Sequence, residues 1–193
     1  MASSMFMALR AHGRFLLFLA LVACADRAPV TRPEPVASLM GSPAAQPNAA
    51  ADEFLTVQNQ ARAAVGVPPL QWSTDLAAEA SKMVQYQKEQ KGCDFVDMSS
   101  SPYGANQAWT SYPPSPAEVV GSWVAQGKYY NHDDNTCDTD AAQGDCGTYT
   151  QVVWRRTAEV GCAQATCAGQ QEGATITLCL YNPHGNVQGQ RPY

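Results

Sequence analysis

Histidine is scarce in this chain. There are three in 193 residues, His12, His132 and His184, and none has a Cys, another His or a suitably spaced acid beside it. Imidazole is the commonest metal ligand and the usual general base near neutral pH, so this scarcity counts against a His-built metal centre or a proton-shuttling site. The cysteines include no C-x-x-C pair and the chain has no G-x-S-x-G run, which removes the zinc-ribbon and nucleophile-elbow signals. Basic residues are also few: 12 Lys and Arg stand against 17 Asp and Glu, a formal net charge of −5. Nucleic acid and anionic membrane surfaces select basic patches, so neither is an expected partner. The longest apolar run, Phe15 to Ala23, is too short to cross a bilayer.

That run has another meaning. Arg10, His12 and Arg14 precede it, and residues 1–25 read as an export signal. Its end, Leu21-Val22-Ala23-Cys24, has the form of a bacterial lipobox in which Cys24 carries the lipid anchor; cleavage after Ala25 instead releases a free protein. Arg10 and Arg14 leave with the signal and no acid does, so the mature chain is two charges more negative. From 26 to 51 the sequence is rich in Pro and Ala without an apolar period, which reads as an extended linker. The remaining 52–193 holds six cysteines, and an even set in an exported chain implies a disulfide framework, with fifteen pairings open.

Three helices are legible in this domain. Phe54, Val57, Ala61 and Val65 share a helical face, and Leu76, Ala80, Met83 and Val84 repeat the stripe after a cap at Ser73. Ser115-Pro116-Ala117-Glu118 is a capping box with Pro in the first turn, and its helix turns Val119, Val120 and Trp123 inward. Between the second and third helices, Trp109, Tyr112 and Pro113-Pro114 read as a stiff aromatic loop, more often a lid on the core than a ligand lip. Strands are expected at Tyr149–Trp154, Glu159–Ala165 and Ala174–Tyr181, the last alternating Ile176, Leu178 and Leu180 with Thr175, Thr177 and Cys179. Five acids, Asp133, Asp134, Asp138, Asp140 and Asp145, crowd one loop. It lacks the spacing, central Gly and closing Glu of an EF-hand, so it reads as a solvated acidic loop, with His132 and His184 in exposed turns.

Four segments carry a family likeness in order. They are Gln58 to Arg62 with Val65 to Trp72; Tyr103-Gly104-Ala105-Asn106; Cys146-Gly147-Thr148-Tyr149-Thr150-Gln151-Val152-Val153-Trp154 with Gly161-Cys162; and Tyr181-Asn182-Pro183-His184-Gly185-Asn186. Together they resemble the CAP (SCP) superfamily of cysteine-rich secretory proteins, venom allergens and plant pathogenesis-related proteins. The resemblance implies an α+β fold, a three-layer α-β-α sandwich, and the disulfides Cys93–Cys167, Cys137–Cys146 and Cys162–Cys179. It also implies a cavity lined by two His and two Glu. Carried over residue by residue, those four positions fall on Asp97, Ala105, Gln126 and Thr148.

Zinc needs imidazole, thiolate or carboxylate donors, and this set offers one carboxylate, a methyl, an amide and a hydroxyl. No metal, no other cofactor and no catalytic residue is therefore expected. The sequence reads as an exported, extracellular, non-catalytic binding or interaction domain, secreted or lipid-anchored to the cell envelope. The resemblance makes a lipid or sterol a candidate ligand, beside an extracellular protein or cell-surface component. The alternative is a secreted hydrolase or cell-wall-active enzyme of the same type.

Overall fold

The computed structural model describes residues 49–138 and 145–193. The export signal, Cys24, nearly all of the Pro/Ala-rich segment and Asp140 lie outside the described residues. The first helix, α1, Ala49–Ala64, begins three residues before the expected boundary, and Ala51 is buried. A two-residue strand β1, Gln71–Trp72, leads into α2, Thr74–Gln90, whose first turn is capped by Ser73 accepting from the Leu76 amide at 3.3 Å. Strand β2, Gly104–Thr110, precedes α3, Pro116–Ala125, which runs on into a 3-10 turn at Gln126–Tyr129. A small hairpin, β3 Tyr130–Asn131 with β4 Thr136–Cys137, is followed by α4, Gly147–Val152, and by the long strands β5, Glu159–Thr166, and β6, Thr175–Asn182.

The main sheet has the order β1-β5-β6-β2. β1 runs parallel to β5, while β6 is antiparallel to both β5 and β2. Alternation along β6 sends Cys179 and Tyr181 to one face, where they join Phe54 of α1, Trp123 of α3 and Val152 near the end of α4. Ile176, Leu178 and Leu180 go to the other face, where they meet Leu76, Ala80 and Val84 of α2. Helices on both sides of one sheet make the three-layer sandwich. Thr175, Thr177 and Cys179, the alternate positions, are buried as well, because neither face of β6 is open to solvent.

Three disulfides tie the layers: Cys93–Cys167, Cys137–Cys146 and Cys162–Cys179. These are the pairs the resemblance implies. Gly161 lets β5 lie directly on the start of α2, where a Cβ would stand 2.6 Å from the Ser73 carbonyl oxygen.

Three sequence expectations need correction. Tyr149–Trp154 is not a strand; its β-branched and aromatic residues sit in α4 and the turn after it. A short helix is favoured here because its environment satisfies the end carbonyls, and burial decides over β propensity. Trp109 belongs to β2 rather than to a loop, and it closes no core: Trp109 is 44% and Tyr112 48% exposed. The capping box is formed in half. Ser115 accepts from the Glu118 amide at 3.1 Å, while the Glu118 carboxylate accepts from the Tyr112 hydroxyl.

Candidate functional site

The functional question centres on α4, since Thr148 lies in its first turn. One buried cation holds this helix in place. Arg62, fully buried on α1, donates from Nη1 to the carbonyls of Val152 and Trp154, both at 2.9 Å, from Nη2 to Thr157 at 2.9 Å, and from Nε to Pro68 at 2.7 Å. The last carbonyls of a helix have no partners within it, and a cation there also meets the negative end of the helix dipole. Burial draws the Arg62 pKa down from 12.5 to about 10, with the Tyr181 phenol nearby acting in the opposite sense, so the guanidinium stays charged at neutral pH.

The other end of α4 is tied to the sheet. Asn106 of β2 donates to the Thr148 carbonyl at 2.9 Å and to the Tyr181 hydroxyl at 3.3 Å. Burial pushes the Tyr181 phenol well above its ordinary range, with the Asn106 bond and the Arg62 charge opposing. Thr150 bonds Asn186 Oδ1 at 2.7 Å, and Gln151 accepts from the Gly185 amide at 2.9 Å, which fastens the 181–186 turn against the helix. Tyr149 meets the Tyr193 hydroxyl at 3.2 Å, and its pKa is also raised, mainly by burial.

The four expected cavity positions can now be placed. Thr148 is half-buried and its hydroxyl, out of contact with solvent, has no hydrogen-bond partner. Gln126 is half-buried at the end of α3, and the turn it opens packs on α4: a Cβ at Gly127 would stand 2.8 Å from Tyr149 Cε2. Ala105 lies on the opposite face of β2 from Asn106 and packs with Val96, Met98 and Tyr103 on the α2 side of the sheet. Asp97 is exposed, and its carboxylate accepts from the Ser99 amide at 2.9 Å, a local bond that holds its pKa below the usual carboxylate value. Ala105 thus lies across the sheet from Thr148, and Asp97 is exposed in its own turn.

Gln107 explains how the Asp97 loop reaches the strand. Its side chain accepts from the Val96 amide at 2.7 Å and donates to the Val96 carbonyl at 2.9 Å, imitating a further strand partner. A cavity of about 270 Å³ beside α4 is lined by Tyr130, Gly147, Thr150, Asn186 and Pro192 among others, and none of the four positions lines it. Among the described residues no group of three or more His, Cys, Asp or Glu is arranged to hold a metal. An exposed, turn-bonded carboxylate with an amide, a hydroxyl and a methyl does not fit zinc or a similar ion.

The sequence read Arg62 only as part of a motif, and its role as a clamp on α4 was missed. The signal was available: Gln58 and Arg62 share a helical face with Phe54, so two polar residues stand at core positions and must bond something buried. His132 lies in an exposed turn, stacked on Tyr193 at 4.9 Å with its Nε2 3.1 Å from the Tyr193 carbonyl oxygen, and His184 is exposed as well. Two acids of the loop are engaged locally. Asp134 takes bonds from Asn131 and Thr136, and Asp145 takes the Gly147 amide.

A sheet with helices on both faces, three disulfides and this motif-bearing helix defines a disulfide-stabilised α-β-α sandwich. Residues 55–181 match the model of the CAP family, the cysteine-rich secretory protein family. The chain belongs to that family. It is 49% identical over 146 residues to the STS14 protein of Solanum tuberosum, covering 75% of this chain and 65% of that protein. It is 42% identical over 141 residues to pathogenesis-related protein 1 of Arabidopsis thaliana, covering 73% and 81%. Among solved structures it is similar to Na-ASP-1, with TM-score 0.61, 20% identity and 76% of this chain against 41% of that one. It is also similar to Schistosoma mansoni venom allergen-like protein 4, with TM-score 0.55, 25% identity, and 76% and 95% covered.

Proposed function

We propose that this chain is an exported, extracellular, non-catalytic binding domain of the CAP type. The observation that supports the reading best is the arrangement of Asp97, Ala105, Gln126 and Thr148. Asp97 is the single titratable group of the set, it is exposed, and its carboxylate is bonded to its own turn. Ala105 supplies no donor and packs on the far side of the sheet. General acid-base or metal-assisted hydrolysis needs converging groups with matched pKa values, and these four supply none.

A binding role needs a receptive surface. A cavity of about 470 Å³ opens between α1 and α2, lined by Phe54, Trp72, Ala77, Cys162 and Ala163, with Thr74, Ser81 and Gln164 among its polar members. Such a mostly apolar space with a few polar groups suits an apolar ligand of lipid or sterol type. Melting the mature domain against a panel of lipids and sterols, with and without divalent metal, tests the reading, together with ester and peptidoglycan hydrolysis assays. A ligand-dependent rise in melting temperature without metal dependence and without turnover supports it. Turnover lost in Thr148→Ala would overthrow it.

We also propose that Cys24 tethers the domain to the envelope through acyl chains, two or more of which give stable anchoring. Detergent partitioning and intact mass of the N-terminal peptide test this; an unmodified N-terminus in the aqueous phase refutes it.

A further inference from the structure

On the α2 side of the sheet, the edge strand β2 and the segment after α2 form a second feature. Ala105, Gln107 and Trp109 share one face of β2, and the bond pair from Gln107 to Val96 holds the 94–96 segment beside the strand. Phe95 and Trp109, 57% and 44% exposed, therefore stand at one cleft of about 250 Å³, which Cys93, Asp94 and Gln171 complete. Its frame is rigid. Cys93 is bonded to Cys167, Trp109 pairs with Ile176 in the sheet, and the Trp109 indole donates to Gln171 Oε1 at 2.8 Å, which fixes the ring.

The charge of this cleft is one-signed. Asp94 is its charged residue, Phe95 and Trp109 line it with aromatic rings, whose π faces carry negative charge density, and no basic side chain among the described residues lines the space. Two other rings already carry cations: Lys91 Nζ lies 5.9 Å from the centroid of the exposed Tyr86 and Lys128 Nζ 4.6 Å from that of the half-buried Tyr129. Among the described residues no such cation sits over Phe95 or Trp109. An anion is opposed by Asp94. A neutral polyol gains no Coulombic attraction from the carboxylate. An organic cation satisfies both the rings and the carboxylate.

We infer that the cleft between Phe95 and Trp109 binds a quaternary ammonium group, held by the two aromatic rings and the Asp94 carboxylate. The group comes either from a free choline-type cation or from the phosphocholine headgroup of a bilayer. The inference rests on the reading of the domain as a binding module and names a ligand class for it. Its failure is separable, because hydrolysis assays decide the non-catalytic reading whether or not choline binds.

The test uses the indole N–H resonances of the domain's four tryptophans, with Trp109→Phe assigning one of them. Choline chloride is titrated in parallel with 3,3-dimethylbutan-1-ol, its neutral carbon analogue. A saturable shift of the Trp109 resonance is expected, at least tenfold weaker for the alcohol and at least tenfold weaker in Asp94→Asn and Phe95→Leu, both of which keep the reporting indole. The remaining indole resonances stay in place in both variants, which shows that they fold. Trp109-dependent binding to phosphatidylcholine vesicles but not to phosphatidylglycerol vesicles assigns the headgroup as the source; choline binding without vesicle binding assigns the free cation. Equal affinity for the alcohol, an unaffected Asp94→Asn variant, or no saturable shift would each overturn the inference.

Discussion

The Arg62 guanidinium lies 2.9 Å from the carbonyl oxygen of Val152, ninety residues away in sequence, and joins the first helix to the end of α4. Four carbonyls converge on this one side chain, and among the described residues no carboxylate is bonded to it. Its role is to satisfy backbone, which a planar fork of donors does better than any other side chain.

Replacing Arg62 with Met keeps the bulk and removes the donors. A buried group left without a partner costs about 1–3 kcal/mol, so with several carbonyls orphaned the variant should lose roughly 3 kcal/mol or more. Arg62→Lys should recover only part, because an ammonium cannot span the same fork. Urea unfolding midpoints decide it; a Met variant as stable as the wild type contradicts the clamp.

Gly161 and Gly121 form a matched pair. A Cβ at Gly161 would press on the Ser73 carbonyl and the α2 backbone, whereas one at Gly121 in α3 meets nothing within 4 Å. Gly161→Ala should cost about 1–3 kcal/mol through overpacking, and Gly121→Ala should be neutral or stabilising by up to about 1 kcal/mol. Equal midpoints for the two variants would show that the β5–α2 contact yields freely.

How much of this was legible in the sequence depends on where each constraint originates. The capped helices and the strands β5 and β6 announce themselves locally, through Ser73, Ser115 and two-residue alternation. The conformation of α4 does not, because Tyr149 to Trp154 favours a strand by composition and is made helical by Arg62, Asn106 and Asn186 from three other parts of the chain. β2 was overlooked for a related reason: Gly104, Ala105, Asn106 and Gln107 look like a loop until cross-strand pairing with β6 and the side-chain bonds of Asn106 and Gln107 are supplied. The four cavity positions were legible only through the family resemblance. That Ala105 and Thr148 lie on different faces of the sheet could not be read from their spacing.

The disulfides should differ in weight. By chain entropy, the Cys93–Cys167 loop of separation 74 contributes about 4.5 kcal/mol and the Cys137–Cys146 loop of separation 9 about 2.5 kcal/mol. Replacing the first pair with Ser should therefore lower the melting temperature more than replacing the second. The reverse order, or a fully reduced protein that keeps its melting temperature, contradicts the framework.

Alkali should unfold the domain. Burial raises the phenols of Tyr149 and Tyr181 above the ordinary 10.0. Above that ordinary value the unfolded chain releases protons that the folded one keeps, so the stabilising effect is complete below pH 10 and is lost as pH rises. Arg62 acts in the opposite sense, since its folded pKa of about 10 lies below 12.5, but one guanidinium stands against two phenols. Urea midpoints should fall above pH 10, with part of the tyrosine absorbance change appearing only on unfolding; a flat profile would contradict the burial of these rings.

Zinc addresses the central claim most directly. A ligand at a hundred times its dissociation constant that binds only the folded state adds about 2.7 kcal/mol, so a working metal site would raise the melting temperature by several degrees. The account predicts no shift when the metal-free mature domain is melted with and without zinc. A rise of several degrees that disappears in Asp97→Ala would contradict it.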